Sequence, residues 1–237
     1  MFGATGIAMG SRASIAQLLG QGIIDLLAPD RCLGCRRRAS PLWCHDCAGQ
    51  VGAVPSPCRR CAASRNAGHP CWPATSPVDI TVAAFDYTGP IAAAIRTAKL
   101  GGAWSGWHIM GSQLAQTAAP VAVDIDVVTW VTTSQRRARR RGFDHAQMLA
   151  EAVGQALGLP CVQLLDVMAG RRGDVFGITS QRRLPGTHVL LVDDVLTTGM
   201  TASGAAQALK SAGAGTVTLG VVARAGRHDL HVAGSSR

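Results

Sequence analysis

The 237-residue chain is 47% apolar but only 4% aromatic, so Ala, Val, Leu and Ile must build its core, and it has length for one real core plus a small satellite module. Its net charge of +9 is concentrated in Arg36 to Arg38, Arg59-Arg60, Arg136 to Arg141 and Arg171-Arg172, clusters that suit a polyanion or simply a solubilising surface. No apolar run is long enough to span a bilayer, and no basic start with a cleavage site reads as a signal peptide, so a cytoplasmic protein without a membrane span is expected.

Residues 1–13 read as a leader of small residues. An amphipathic helix over Ser14 to Leu27 follows, interrupted by Gln17, Gln21 and Asp25, and stops at Ala28-Pro29. The leader and helix make a first unit, 1–29.

Residues 30–77 form a second unit, rich in Cys, Arg, Pro and Gly and without apolar periodicity, which needs something other than a core to fold. Cys32-x-x-Cys35 and Cys44-x-x-Cys47 supply four thiolates that can close tetrahedrally around Zn²⁺. In a reducing compartment such spacing means metal more often than disulfide. The neighbouring arginines Arg36 to Arg38 are expected to help lower the thiol pKa values. Cys58-x-x-Cys61 is paired with Cys71 alone, because Ala74 stands where another C-x-x-C would end. His69 as fourth ligand, loose binding by three cysteines, and a decayed site all remain open. His45 reads as a solvated side chain and Cys161 as a small core residue.

From residue 78 to 237 the pattern changes to strands alternating with helices, which points to an α/β fold with a parallel sheet covered on both faces. Strands are expected over Ile80 to Phe85, Ile125 to Val131, His188 to Val192 and Thr216 to Val222. Helices are expected over Pro90 to Lys99, Gly106 to Thr117, Phe143 to Leu157 and Thr201 to Ala212, with residues 166–187 as a loop. Trp104, Trp107 and Trp130 read as packing residues. Lys99 reads either as an exposed helix-end lysine or as a group reaching toward phosphates.

One stretch carries most of the chemistry. The apolar run Val189 to Val192 enters Asp193-Asp194, then Val195-Leu196-Thr197-Thr198-Gly199-Met200-Thr201, then a helix. Unsatisfied N–H groups and the dipole at a helix start attract phosphate, and Gly199 lets backbone approach an anion. Carboxylates at the end of a central strand sit where open α/β sheets bind ligands, and can accept from ribose hydroxyls or help hold Mg²⁺. A second turn, after Val131, carries the arginines Arg136, Arg137, Arg140 and Arg141, which can clamp a pyrophosphate bidentately.

Val189 to Thr201 resembles the phosphoribosyl pyrophosphate motif of type I phosphoribosyltransferases. Arg140-Arg141-Gly142-Phe143-Asp144-His145-Ala146 resembles the R-G-F-N-Q-A segment of ComF proteins, with Asp144 and His145 in place of Asn and Gln. Tyr87-x-Gly89-Pro90, Lys99-Leu100 and the order of the cysteine pairs resemble ComF proteins too. The resemblance implies a type I phosphoribosyltransferase-like domain behind a zinc-ribbon module. It implies that Asp193 and Asp194 contact the ribose and that Thr197, Thr198, Gly199, Met200 and Thr201 wrap the 5′-phosphate. Phosphoribosyl pyrophosphate with Mg²⁺ is the implied ligand, and DNA uptake or nucleotide salvage the implied setting. Between Leu165 and His188 the chain lacks the longer ComF segment from which a flexible hood closes, so turnover is less secure than binding. A contrasting reading is a zinc-ribbon adaptor for single-stranded DNA or competence proteins, with a vestigial phosphate pocket. The scarcity of aromatics counts against base stacking in that role.

Overall fold

The computed structural model describes residues 31–38, 43–65, 69, 71–99, 104–132, 144–170, 173–178 and 183–226. The leader, the helix expected over Ser14 to Leu27 and the arginine run Arg136 to Arg141 lie outside the described residues.

In chain order the elements are α1 (His45–Ala48), β1 (Ile80–Asp86), α2 (Gly89–Lys99), α3 (Trp104–Ala118), β2 (Val127–Trp130) and α4 (His145–Leu157). They continue with β3 (Leu165–Gly170), β4 (Gly173–Ile178), β5 (His188–Leu196), α5 (Met200–Ser211) and β6 (Thr216–Arg224). Strands β1, β6, β5 and β2 join in that order into a four-stranded sheet, parallel throughout. Parallel pairing requires a crossover on each connection, and the helices supply it while covering both faces.

Strand β5 is the centre of the sheet. Val189, Leu190, Leu191 and Val192 are all buried to 1% exposure or less, and their side chains alternate between two cores. Val189 and Leu191 join α5 residues Ala202, Ala205, Ala206 and Leu209 on one face. Leu190 and Val192 join Ile91, Ile95, Trp107, Leu114 and Leu149 from α2, α3 and α4 on the other. With few aromatics available, close helix contact does the filling. A Cβ on Gly111 of α3 would stand 2.6 Å from the Ala152 Cβ of α4, so only glycine allows that crossing.

Strand β5 runs to Leu196 rather than stopping at Val192, because Asp193 and Val195 continue the ladder onto Val221 and Ala223 of β6. The acids therefore stand within regular strand, paired there with β6 beyond the end of the β2 ladder. The loop expected over 166–187 is corrected more substantially. Leu165–Gly170 and Gly173–Ile178 form an antiparallel hairpin, paired from Leu165 with Ile178 to Gly170 with Gly173. Strands only two residues apart in the chain pair as a hairpin, and the interspersed glycines hide the period-two pattern. Phe176 of β4 packs on the α5 side of the sheet, 3.3 Å from where a Cβ on Gly204 would lie.

The cysteine segment lies against this domain rather than apart from it. Val54 and Ala62 enter the α5-side core, while Trp43 and Val51 pack on the opposite one. The Thr81 amide of β1 donates to Arg59 O at 2.9 Å, the Thr81 hydroxyl to Arg60 O, and the Asp86 amide to Gly52 O at 3.0 Å. Across the sheet, Val128 of β2 exchanges backbone hydrogen bonds with Pro160 and Val162. Cys161, half-buried in that segment, makes a parallel bridge to Val128, and burial pushes its thiol up to about 11.

Candidate phosphate and metal sites

Asp193 and Asp194 stand side by side in β5 in different settings. Asp194 is 5% exposed, and its Oδ2 takes Lys99 Nζ at 2.8 Å and His145 Nε2 at 2.7 Å. Burial alone would raise the Asp194 carboxyl, but the His145 hydrogen bond and the Lys99 charge outweigh it and hold the group below its ordinary value. Asp193 gains less from the lysine. Burial, and then the charge of Asp194 beside it, push it up to about 8, although its Oδ1 accepts from the Asp194 amide at 2.8 Å. The pair is therefore split into one carboxylate and one group that holds its proton near neutrality.

His145 is itself buried and stacks on Trp107 with ring centroids 5.2 Å apart. It stands at the first turn of α4, whose N-cap Asp144 accepts from the Ala146 amide at 3.0 Å. Capping suits Asn and Asp alike, so the Asp at 144 leaves the local fold unchanged. The departure at 145 has more effect, because imidazole reaches the β5 acid. In the sequence His145 stands out only as a substitution, and Lys99 supports two readings. Only the meeting of the C-terminal end of α2 with the N-terminal end of α4 beside β5 brings both onto Asp194.

Beyond Asp194 the chain turns through Thr197 and Thr198, both exposed, to Gly199 at φ +82°, the left-handed N-cap of α5. No side chain caps this helix and its first turn holds no acid, so the leading N–H groups are left for an anion. Met200 is 78% exposed, with Thr201 exposed beside it. Gly199 is required twice over, by its φ and because a Cβ would lie 2.7 Å from Trp72 Cζ2. Gly199→Ala is expected to weaken phosphate binding at least about tenfold and to cost roughly 1–3 kcal/mol of stability; titration with ribose 5-phosphate and thermal melting check both. Arg136, Arg137, Arg140 and Arg141 lie outside the described residues, while Thr132, which leads toward them, is buried.

The cysteines gather into two clusters whose ligand atoms all lie within 4.8 Å of one another, one of Cys32, Cys35, Cys44 and Cys47, the other of Cys58, Cys61, His69 and Cys71. Cys35 and Cys44 Sγ are 3.6 Å apart, and Cys58 and Cys71 Sγ 3.7 Å. A tetrahedral zinc with bonds of about 2.3 Å sets its sulfurs roughly 3.8 Å apart, whereas a disulfide needs about 2.05 Å. Both clusters can hold a zinc ion. Of the three alternatives for the second, the geometry brings His69 in beside the three cysteines. His45, fully exposed, is no part of either.

Thiol electrostatics point the same way. Burial would raise Cys32, but the amides of Cys35, Cys44 and Gly34 bring it down to about 6. Cys47 is pushed up to about 12 by burial and by its cysteine neighbours. Cys58 and Cys61 split likewise, to about 6 and about 11. A divalent cation at the centre removes that mutual repulsion. Backbone amides thus take the role expected of Arg36 to Arg38, which are exposed; Arg37 instead pairs with Asp46 at 3.3 Å.

The family model for the phosphoribosyl transferase domain matches residues 111–233, just over half of the chain. The chain belongs to the phosphoribosyl transferase domain family. Its family domain thus spans α4, both acids, the glycine turn and α5. Solved structures similar to it include a purine phosphoribosyltransferase from Pyrococcus horikoshii, 21% identical, with 52% of this chain and 76% of that one covered and a TM-score of 0.39. Glutamine phosphoribosylpyrophosphate amidotransferase from B. subtilis is 24% identical at TM-score 0.38, over 49% of this chain and 26% of its own. A hypoxanthine-guanine phosphoribosyltransferase from Bacillus anthracis is 12% identical at TM-score 0.36, over 52% of this chain and 68% of its own. This phosphoribosyltransferase domain thus accounts for about a quarter of the length of the amidotransferase it resembles. Among curated proteins no relative matches. Among the described residues no helix is long and apolar enough to cross a membrane.

Proposed function

We propose that the protein is a ComF-type phosphoribosyltransferase-like protein that binds phosphoribosyl pyrophosphate with Mg²⁺, working in the reducing cytoplasm in DNA uptake or nucleotide salvage. The observation that carries this reading is the run of two acids at the end of β5 into an uncapped helix start at Gly199. In it Asp193 and Asp194 receive the ribose hydroxyls, and the amides and hydroxyls of Thr197 to Thr201 receive the 5′-phosphate. Arg136, Arg137, Arg140 and Arg141 hold the pyrophosphate, whose charge grows as it leaves. Mg²⁺ bound with the ligand supplies further neutralisation of that charge. Residues 30–77 act as a zinc-ribbon module against the domain of residues 78–237. The short β3–β4 hairpin leaves less cover than a full hood, so ligand binding ranks ahead of rapid ribosyl transfer.

Calorimetric titration of zinc-loaded protein with phosphoribosyl pyrophosphate, with and without Mg²⁺, tests the reading. Metal-dependent binding is expected, and its absence in folded protein would leave the nucleic-acid adaptor as the better account. That second reading draws on the exposed Arg36, Arg37 and Arg38 beside the first cluster, and predicts single-strand binding that falls steeply with salt.

The raised Asp193 gives the binding a pH signature. A carboxylate can accept from a diol with both oxygens, a protonated acid less well. Below about 8 the ligand must therefore displace the Asp193 proton. Affinity is expected to rise toward pH 8 and level off above it, with proton release visible in buffers of different ionisation enthalpy. A flat profile, after correction for the ligand's own ionisation, would remove Asp193 from the contact.

A further inference from the structure

Arg224 closes β6 and touches both the second metal cluster and the start of the phosphate turn. Its Nε donates to Cys61 O at 3.0 Å, and its Nη1 to Leu196 O at 2.9 Å, Thr197 O at 2.7 Å and Ala225 O at 2.7 Å. In a planar trans peptide the C=O and the following N–H point in opposite directions. Pinning the carbonyls of Leu196 and Thr197 on the guanidinium therefore turns the amides of Thr197 and Thr198 to the other side, away from Arg224. A second contact joins the same two places. Trp72 follows the cluster residue Cys71 directly, and its indole occupies the space that a Cβ on Gly199 would need. Residues 72, 73 and 75–77 then form one wall of a cleft of about 540 Å³ whose other wall is Thr198 to Met200 and the α5 face of Ser203, Gly204 and Gln207.

We propose that Arg224 and Trp72 are positioning residues for the phosphate turn, and that through them the metal held by Cys58, Cys61, His69 and Cys71 sets how tightly residues 197–201 bind a phosphate. Metal fixes the Cys61 carbonyl and the Cys71–Trp72 step. Arg224 and the indole carry that order to the two sides of the turn. Without metal, the Cys61 carbonyl no longer anchors Nε and Trp72 is released from Gly199. The amides then lose their common direction, and a phosphate must bear the cost of ordering them.

The proposal rests on reading residues 197–201 as the phosphate cradle, and ribose 5-phosphate, which carries that phosphate alone, is the probe. Zinc content, amide hydrogen exchange over residues 196–201 and ribose 5-phosphate affinity are measured in the full chain and in His69→Ala, Trp72→Ala, Arg224→Gln and His69→Ala/Arg224→Gln. His69→Ala is expected to hold one zinc in place of two, to exchange faster across the turn, and to bind the probe about tenfold more weakly, as for the loss of one or two hydrogen bonds. Arg224→Gln should do the same with both zincs retained. The double variant should be no weaker than the worse single one, since both cut the same connection. His69→Cys, with four thiolates, should restore the zinc and the wild-type exchange; it keeps the test decisive should His69→Ala fail to fold. A His69→Ala protein that loses its zinc yet keeps wild-type exchange overturns the coupling, as does fully additive weakening in the double variant. If the intact protein ignores ribose 5-phosphate while exchange still follows the metal, the coupling stands and the cradle reading falls.

Discussion

Asp193→Asn is expected to raise the melting temperature while removing phosphoribosyl pyrophosphate binding, and Asp194→Asn to lower the melting temperature while removing the same binding. The two acids differ by one residue, yet the fold treats them oppositely. Asp193 is pushed up to about 8, so the folded state resists its ionisation. Below the usual carboxylate pKa, about 4, both folded and unfolded chains are protonated there and nothing is lost. As pH rises from 4 toward 8 the unfolded chain ionises first, and stability falls until the folded group has ionised too. Asparagine removes that penalty. Because Asp193 keeps some solvent contact, a gain of roughly 1–2 kcal/mol at pH 8, and none near pH 4, is the expected size.

For Asp194 the sign reverses. Its lowered pKa means that its pairing with His145 and Lys99 stabilises the fold above the ordinary carboxylate range and is lost as pH falls through the lowered value. An amide there leaves two donors facing a group with no charge, at a cost of about 3–5 kcal/mol for a broken buried pair. In a domain of this size that is a drop of roughly 6–20 °C. Thermal melts at pH 4 and pH 8, with calorimetry on both variants, check all four outcomes. Unchanged ligand affinity in Asp193→Asn would sink the assignment of the β5 acids.

Removal of metal is the second large effect. The zinc-loaded chain is expected to carry two ions, and a strong chelator to release both and dissolve the order of residues 31–38 and 43–65. Zinc contributes on the order of 10 kcal/mol to small modules that fold around it. Here the sheet keeps its own two cores, so helical circular dichroism should persist while near-ultraviolet signals from Trp43 and Trp72 change. Cys32→Ser should strip one ion, and Cys58→Ser the other. A chelated protein with an unaltered melting profile would show that the clusters are held by packing alone.

Much of the architecture is legible in the amino-acid sequence. The apolar run Val189 to Val192 ends in acids, and a buried parallel strand is the structure whose two faces tolerate such a run. The C-x-x-C spacing points to the first cluster because four thiolates at that separation need little else. Other parts depend on tertiary contact. His145 and Lys99 lie 46 residues apart and meet only across Asp194. His69 is separated from Cys58 and Cys61 by a segment without a repeating ligand pattern. Arg224 ends a strand as an ordinary charged residue, and its four carbonyl partners come from three places in the chain. The hairpin over Leu165–Gly170 and Gly173–Ile178 is obscured because four of its twelve residues, counting Gly170, Gly173 and Gly177 with Ala169, carry little or no side chain.

The backbone of residues 52 and 59–60 runs beside β1 and takes hydrogen bonds from Asp86 and Thr81. On the opposite flank Pro160 to Val162 lies along Val128. A parallel sheet of four strands otherwise ends in two rows of unpaired amides and carbonyls, which are templates for pairing with another chain. The cysteine segment thus shields one rim of the sheet from self-association, and its hold there depends on metal. Zinc-starved protein should accordingly be lost first to aggregation nucleated at β1, while the central strands are still closed.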